Sequence, residues 1–341
     1  MKFGFHLPTG MEGLALPIPF FRPSDFIAMA QTAERLGYDS LWGNDHYAPQ
    51  NYVRAKHHSS IPNLYEVLTV LTAVASVSHR IQVGTSVLVL PMREIVLVAR
   101  QVATLDQLSG GRLLLGVGIG AYKEEFAAAR PDLMGQHRGA MLDEGLELLQ
   151  RLLSEDSVTH RGRYYHVESL EMYPKPIQKP FPILVGGHQQ TGLDRTIRHG
   201  QGWIPGWRPF NELKEWIALL REKAAAAGRD PDSIIVAPQF SCLIGRTQEE
   251  AERRYLNSGI VQHRISLAYT GRDPALAMEN NIVGSPQVVL GKLEQLREYG
   301  VDHLAALSFC VNSVSEFSEQ VHFFAEEVMR PYRARHGIIG P

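Results

Sequence analysis

The segment Leu108–Phe126, LSGGRLLLGVGIGAYKEEF, contains glycines spaced as in sites that bind nucleotide cofactors. Its centre, GVGIGA, fits the pattern G-x-G-x-x-G/A at Gly116, Gly118 and Ala121, directly after an apolar run typical of a strand. Glycines in this pattern let the backbone approach a pyrophosphate, and the helix that follows points its N-terminus at the phosphates. The spacing therefore raises the question of a nicotinamide cofactor.

The residues after Ala121 do not supply the context that such a site needs. A dinucleotide-binding unit continues through a helix into a strand that ends in an acidic residue about 20 residues on. Here Pro131 ends any helix after about ten residues, and residues 136–153 have the periodicity of a helix. The apolar run is also the fourth strand-like segment instead of the first. This context disfavours a dinucleotide fold.

A histidine follows the second strand-like segment. His46 lies in WGNDHY, and histidine exchanges protons near neutral pH because its unperturbed pKa is about 6.5. His46 is therefore our candidate catalytic residue. Asp45 precedes it, but adjacent strand residues point to opposite faces, so we interpret Asp45 as a structural or orienting group. The alternative for His46 is a loop histidine that bonds to backbone.

Other catalytic and metal-binding patterns are absent or incomplete. The sequence has no C-x-x-C pair, no H-E-x-x-H helix and no G-x-S-x-G turn, which disfavours zinc sites and serine hydrolases. His57 and His58 are adjacent in a polar loop, a poor arrangement for a two-histidine metal site. An aldolase or lyase barrel would need a Schiff-base lysine or a metal cluster, and the predicted strand ends carry His46 and glycines instead. We expect no metal site.

Strand-like and helix-like segments alternate along the whole chain, and eight strand–helix units predict a (β/α)8 TIM barrel of the α/β class. An open doubly wound sheet is the alternative. The predicted strands are 2–7, 38–45, 80–90, 112–119, 181–187, 201–206, 234–245 and 302–309. The predicted helices are 25–36, 65–77, 94–108, 136–153, 212–227 and 315–330, with an outer hairpin around GRYYHVESL. We expect one domain over 1–341 with an insertion at about 247–284.

A barrel gives the glycine segment a different role. Active sites of such barrels lie at the carboxyl ends of the strands. Glycines at 116, 118 and 120 would let the backbone pass close to a flat ligand there, because they carry no Cβ. The alternative is a crowded barrel interior that needs small residues.

Composition sets limits on the partners. The 341 residues include 34 basic and 36 acidic side chains, a net charge of −2, which does not favour a nucleic-acid partner. Cys242 and Cys310 cannot build a disulfide framework. The N-terminus, MKFGFHLP, has no long apolar run, and no segment approaches the roughly 20 apolar residues that cross a bilayer. We expect a cytoplasmic protein with a small-molecule partner and no membrane contact.

The block PMREIVLVARQVATLDQLSGGRLLLGVGIGAYKEEF resembles the luciferase-like monooxygenase superfamily. Four further segments resemble it as well: AERLGYDSLWGNDHY, RIQVGTSVLVLP, PKPIQKPFPILVGGHQQTGLDRTIRHGQGW and GSPQVVLGKLEQLREYGVDHL. The resemblance covers most of 1–205 and 284–309 and implies a luciferase-like barrel with a flavin or deazaflavin across its carboxyl-terminal face. The insertion at 247–284 lies outside the matched motifs, and we expect it to contribute to substrate choice.

The resemblance implies residues that contact the cofactor. A non-proline cis peptide is expected at Ser86–Val87, under the flavin ring. The cofactor phosphate is expected near GGHQQT, where a helix begins near Gln189 or Gln190 and its N–H groups are free to bind it. The family's phosphate-contacting positions include an arginine that is Ile119 here, which removes a charge. The candidate cofactor-binding residues are Ser86, Val87, Gly118, Ile119, Gly120, Ala121, Tyr122, Gly186, Gly187, His188 and Thr191.

The resemblance also implies two chemistries. In one branch, reduced FMN from a separate reductase reacts with O2 and a small organic substrate; in the other, the deazaflavin coenzyme F-420 exchanges a hydride with the substrate. We favour a two-component monooxygenase that uses reduced FMN, with the deazaflavin oxidoreductase as the alternative and a homo-oligomer as the expected assembly. A non-catalytic flavin-binding barrel is the alternative from another class.

Overall fold

The structure, a computed structural model, describes residues 1–261 and 278–338. Strands and helices alternate through the described residues as the sequence predicts. The strands are β1 (Lys2–Leu7), β2 (Ser40–Gly43), β3 (Gln82–Thr85), β4 (Leu88–Val89), β5 (Leu113–Gly118), β6 (Ser157–Arg161), β7 (His166–Glu171), β8 (Ile183–Gly187), β9 (Gly202–Pro205), β10 (Ile235–Val236), β11 (Gln239–Ile244), β12 (Ile282–Gly284) and β13 (His303–Phe309).

The helices fall between these strands or, for the last two, after β13. They are α1 (Pro23–Leu36), α2 (Asn51–Lys56), α3 (Val67–Ser76), α4 (Ile95–Ser109), α5 (Lys123–Ala129), α6 (Arg138–Ser154), α7 (Gln190–His199), α8 (Phe210–Ala226), α9 (Gln248–Leu256), α10 (Pro286–Glu298), α11 (Val314–Phe324) and α12 (Arg330–Arg335). No helix in the described part of the chain is long and apolar enough to cross a membrane.

The large sheet is a ring of parallel strands. Its order is β10-β9-β8-β5-β3-β2-β1-β13-β11-β12. The short β10 pairs with β9 and leads within two residues into β11, which pairs with β13. These two strands are the halves of one predicted strand, so the ring closes through the break between them. The (β/α)8 barrel is therefore confirmed, and the open sheet is wrong.

The eight predicted barrel strands are all present, with two of them broken. Strand three is interrupted at Ser86–Val87 between β3 and β4, and strand seven at Ala237–Pro238. A proline cannot donate to a ladder and is expected at such a break. The predicted outer hairpin is β6–β7, paired antiparallel.

Several helices were not predicted. α2 and α5 are short and lie in loops after β2 and β5, where too few turns exist for a clear period. The predicted closing helix 315–330 is α11 continued by a π-helical turn, 325–329, into α12. The predicted insertion 247–284 contains α9 and β12, and its residues 262–277 lie outside the described residues.

Close packing fills the barrel below its mouth. The Trp42 indole lies inside, donating its N–H to Ser40 Oγ at 2.7 Å, and Ser40 Oγ lies 2.7 Å from His303 Nε2. A Cβ on Gly84 would lie 2.5 Å from the Trp42 ring. Trp42 is fully buried, so this layer forms a floor and leaves only the carboxyl ends of the strands for a ligand.

Candidate active site

The candidate residues gather at the carboxyl ends of the barrel strands. His6 is near the end of β1, His46 follows β2, and Ser86 follows β3. Gly118 ends β5 and Gly186 lies at the end of β8. Parallel strands place these ends on one face, as the sequence predicts for the active-site face of a barrel.

His46 is held by a carboxylate that the sequence reasoning missed. Its Nδ1 lies 2.8 Å from Oε1 of Glu125, whose side chain is 5% exposed. Glu125 belongs to α5 and also accepts from the backbone N–H of Tyr47 at 3.2 Å and from Nε2 of Gln50 at 2.5 Å. A buried carboxylate with three such donors is held in one position.

The partner of Nδ1 determines what the other ring nitrogen does. A neutral imidazole carries one N–H. With the Nδ1 hydrogen donated to Glu125, the lone pair of Nε2 is left to accept a proton. The His46 side chain is 15% exposed, and its ring lies 5.9 Å from that of Tyr122, centroid to centroid. The His46 ring is therefore paired with a buried carboxylate at the carboxyl ends of the strands and does not bond only to backbone.

Asp45 has structural partners, in agreement with its interpretation as a structural or orienting group. Its carboxylate pairs with the Arg93 guanidinium at 2.7 Å and accepts from the backbone N–H of Val89 at 3.0 Å. Burial disfavours the charged guanidinium, but the nearby carboxylates of Asp45 and Glu66 outweigh this effect and raise the pKa of Arg93. This network joins the ends of β2 and β4 and leaves the carboxylate of Asp45 engaged by structural partners.

The peptide bond Ser86–Val87 is cis, as the resemblance implies. The Val87 side chain lies between two candidate glycines: a Cβ on Gly118 would be 2.6 Å from Val87 Cγ2, and one on Gly186 would be 2.9 Å from Val87 Cγ1. Ser86 Oγ lies 2.7 Å from Nε2 of His6. The structure thus brings Ser86, Val87, Gly118 and Gly186 together.

The glycine segment packs closely against the third barrel strand. A Cβ on Gly116 would lie 2.0 Å from the carbonyl oxygen of Thr85, and one on Gly120 would lie 2.8 Å from Val89 Cγ1. The missing side chains therefore make room for the third strand itself, which is the crowded-interior alternative. Gly120 also has φ +78°, a conformation that favours glycine.

A guanidinium lies beside the glycine loop where the family arginine is missing. Ile119 is 40% exposed, and Ala121 is exposed as well. Nη1 of Arg138, the first residue of α6, donates to the carbonyl oxygen of Gly120 at 2.9 Å, and its guanidinium lies 4.9 Å from the centre of the Phe126 ring. Desolvation by burial lowers the pKa of Arg138.

The expected phosphate site has the predicted backbone. β8 ends at Gly187 and α7 begins at Gln190. A Cβ on Gly187 would lie 3.2 Å from the Cα of Gly192, so the helix start packs closely on the strand end. His188 and Thr191 are exposed, and the N-cap residue, Gln189, does not cap the helix with its side chain.

No cluster of histidine, cysteine, aspartate or glutamate that could hold a metal ion occurs among the described residues. Cys242 and Cys310 are both buried, and neither forms a disulfide bond within the described residues.

Comparisons with known proteins agree with this arrangement. A sequence model of a family described as luciferase-like monooxygenase matches residues 1–303. The F420-dependent glucose-6-phosphate dehydrogenase of Amycolatopsis mediterranei (strain U-32) is 32% identical over 237 residues, covering 68% of each chain. The FMNH(2)-dependent dimethylsulfone monooxygenase of Pseudomonas putida is 24% identical over an alignment of 362 residues, covering 96% of this chain and 94% of that one.

A solved structure has the same fold as this chain. The crystal structure of monooxygenase RslO1 from Streptomyces bottropensis matches with a TM-score of 0.80 at 22% identity, covering 97% of this chain and 100% of that chain. At this identity the likeness shows the fold alone.

Proposed function

The chain belongs to the luciferase-like monooxygenase family, and from that premise we propose that it is a flavin-dependent oxidoreductase with its cofactor across the carboxyl ends of the barrel strands. Within that class we propose a two-component monooxygenase that uses reduced FMN and O2 to oxidise a small organic substrate. The observation that carries this proposal is the 2.8 Å contact between His46 and the buried Glu125 at the active-site face.

The residues at the end of β8 fit a phosphate. The first N–H groups of α7 point away from the helix, and a helix N-terminus of this kind favours an anion. Gly187 and Gly192 approach so closely that a Cβ would fill the space between them. Thr191 can add a neutral hydrogen bond. These features support phosphate binding by Gly187, His188 and Thr191.

Arg138 supports the same site from the neighbouring helix. α6 and α7 pack side by side through Arg195, which donates to Asp143 at 2.6 Å. Both helices begin at the active-site face, so Arg138 lies on that face next to the glycine loop. Its charge compensates for Ile119, which cannot pair with a phosphate. A guanidinium is well suited to this role because it offers several N–H donors in one plane.

The cofactor, when bound, supplies the redox chemistry, and the chain supplies position and proton control. Val87 would contact the cofactor ring, and Gly118, Ile119, Gly120, Ala121 and Tyr122 would hold it from the adjacent loop. His46 accepts or returns a proton at Nε2, and Glu125 holds the ring in place through Nδ1. General acid–base catalysis of this kind contributes typically about 10²–10⁴-fold.

The remaining parts of the proposal follow from the branch that is chosen. Reduced FMN implies a small-molecule substrate and a separate flavin reductase. We also propose a homo-oligomer that works in the cytoplasm.

A deazaflavin-dependent oxidoreductase is the second candidate function. The 32% identical relative from Amycolatopsis carries F420 in its name. In this branch the deazaflavin, when bound, would supply hydride-transfer chemistry, and His46 would hold or move the proton of a substrate hydroxyl.

One binding experiment tests both candidates. The purified protein is titrated with FMN and with the deazaflavin, each oxidised and reduced, and the four affinities are compared. Tighter binding of reduced FMN, together with NADPH-linked O2 consumption in the presence of a general flavin reductase, supports the monooxygenase. Binding without turnover of any substrate would support the non-catalytic barrel, and failure to bind either cofactor would refute the proposal.

A further inference from the structure

Three side chains at the active-site face form a hydrogen-bonded trio centred on His6, a residue that has no role in the proposed reaction. Nδ1 of His6 lies 2.7 Å from Oγ of Ser308, and Nε2 of His6 lies 2.7 Å from Oγ of Ser86. They come from the ends of β1, β13 and β3. His6 is 7% exposed, and its burial lowers its pKa to about 4, so the ring is neutral near pH 7.

The Ser308 hydroxyl can make a further hydrogen bond whichever nitrogen of His6 carries the hydrogen. A neutral imidazole donates at one nitrogen and accepts at the other. If Nδ1 donates to Ser308, the Ser308 hydroxyl hydrogen is available to another acceptor. If Ser308 donates to Nδ1, its oxygen lone pairs are available to another donor. Ser86 is 5% exposed, whereas Ser308 is only partly buried, so Ser308 is the member that a ligand reaches.

Ser308 and His6 open into a narrow cleft with apolar walls. The other side chains that line it include Pro8, Met11, Leu16, Ile260, Phe309 and Phe317. Its volume is about 10 Å³, close to that of one water-sized group, so it suits the end of a ligand and not its whole body. Among the described residues that line it, none carries a charge near pH 7.

The loop after β1 connects this cleft to the candidate catalytic histidine. Met11 lines the cleft, and its Sδ accepts from Nδ2 of Asn44 at 3.5 Å. A Cβ on Gly10 would lie 2.9 Å from Cδ2 of His46. The cleft and the His46 ring therefore both contact the same short loop.

We propose that this cleft is a substrate subsite for the oxygen-bearing end of an uncharged, mainly apolar molecule, such as an alcohol, aldehyde or ketone. The inference rests on the proposed function and narrows its substrate class. Ser308 bonds the oxygen, and His6 and Ser86 hold Ser308 in place. A sulfonate or phosphate end is disfavoured, because no cation among the described lining residues would offset the cost of removing its charge from water.

A pair of probes with one alkyl chain tests the subsite. Hexan-1-ol and hexane-1-sulfonate are titrated into the full-length protein, with and without FMN, and binding is followed by saturation-transfer NMR. We expect hexan-1-ol to bind and hexane-1-sulfonate to bind at least tenfold more weakly. The Ser308→Ala variant should bind hexan-1-ol about 3- to 10-fold more weakly, the value of one neutral hydrogen bond. The exposed Ser59→Ala variant is the matched control and should bind as the native protein does.

The outcomes separate the subsite from the proposed function. Equal or tighter binding of the sulfonate, undetectable binding of hexan-1-ol, or an unchanged affinity in a Ser308→Ala variant with native thermal unfolding would overturn the subsite. FMN affinity is measured on the same samples. If FMN and the deazaflavin both fail to bind while hexan-1-ol still prefers the native protein, the proposed function fails and the subsite stands.

Discussion

The Nδ1 atom of His46 and the Oε1 atom of Glu125 lie 2.8 Å apart, although 78 residues separate them along the chain. β2 delivers the histidine to the active-site face, and the short helix α5 after β5 delivers the carboxylate. A buried carboxylate beside a histidine fixes which ring nitrogen carries the hydrogen. The predictions for His46 and Glu125 depend on this pair.

Replacing His46 removes the proposed proton carrier. We expect His46→Ala to lower turnover at least about tenfold, within the range of general acid–base effects, while FMN affinity changes little. Turnover is measured as NADPH-linked O2 consumption on a panel of aldehydes, ketones and sulfonates. The control is His166→Ala, an exposed residue of the β6–β7 hairpin. Full turnover by His46→Ala would remove His46 from the mechanism.

Replacing Glu125 tests positioning. Glu125→Gln keeps the volume but not the carboxylate, so we expect turnover to fall about tenfold with KM little changed, because His46 loses its charged partner. Glu125→Asp should recover part of the loss. Its neighbour Glu124 offers the matched control Glu124→Gln, for which we expect native turnover. Equal effects of the two glutamine variants would argue that Glu125 has only a general structural role.

Arg138 should matter for the phosphate and not for the ring. FMN carries a phosphate that riboflavin lacks, so Arg138→Ala should weaken FMN about tenfold or more, the value of a charge-assisted hydrogen bond, and leave riboflavin affinity unchanged. Fluorescence titration of both ligands measures this. Arg198→Ala, an exposed change in the last turn of α7, is the control. A parallel loss of riboflavin binding would place the effect in the fold of the loop.

Two glycine substitutions should act in opposite directions. A Cβ on Gly116 would lie 2.0 Å from a backbone oxygen, whereas a Cβ on Gly291 in α10 would meet nothing within 4 Å. We expect Gly116→Ala to reduce the free energy of unfolding by about 1–3 kcal/mol or more and Gly291→Ala to raise it by about 0.5–1 kcal/mol. Urea unfolding measures both. If Gly116→Ala left the free energy of unfolding unchanged, β3 and β5 would have to move apart freely.

Buried His6 should make the fold sensitive to acid. Its folded-state pKa of about 4 lies below the ordinary 6.5 because burial disfavours the charged ring. Between these values the unfolded chain binds more protons, so stability is lost as the pH falls from 6.5 to 4, by about 3 kcal/mol. His6→Gln should lose less stability between pH 7 and pH 4.5 in urea unfolding. The exposed His58→Gln variant is the control and should retain the native pH dependence. A native pH dependence in His6→Gln as well would contradict the prediction, since it would mean that His6 is already protonated at pH 7.

Apolar periodicity was sufficient for the barrel itself. Runs such as RLLLGVGI and helices with one apolar face each reflect local burial, and local burial is visible in sequence. The broken third and seventh strands did not obscure the pattern, because their halves remain apolar. The short helices α2 and α5 were not predicted, because six or seven residues are too few to display a helical period. For the same reason the roles of Gln50 and Glu125 were not predicted.

The sequence by itself determined the alternation of strands and helices, the ends at which His46, Ser86 and the glycines lie, and the resemblance that identifies a cofactor class. Only the tertiary structure decided which groups meet. It placed Glu125 behind His46, Arg138 beside Gly120, and Val87 against Gly118 and Gly186, and it joined His6 to Ser86 and Ser308. The physical reason is that burial along one element leaves a periodic signal, whereas a contact between the ends of distant strands depends on closure of the ring and leaves none.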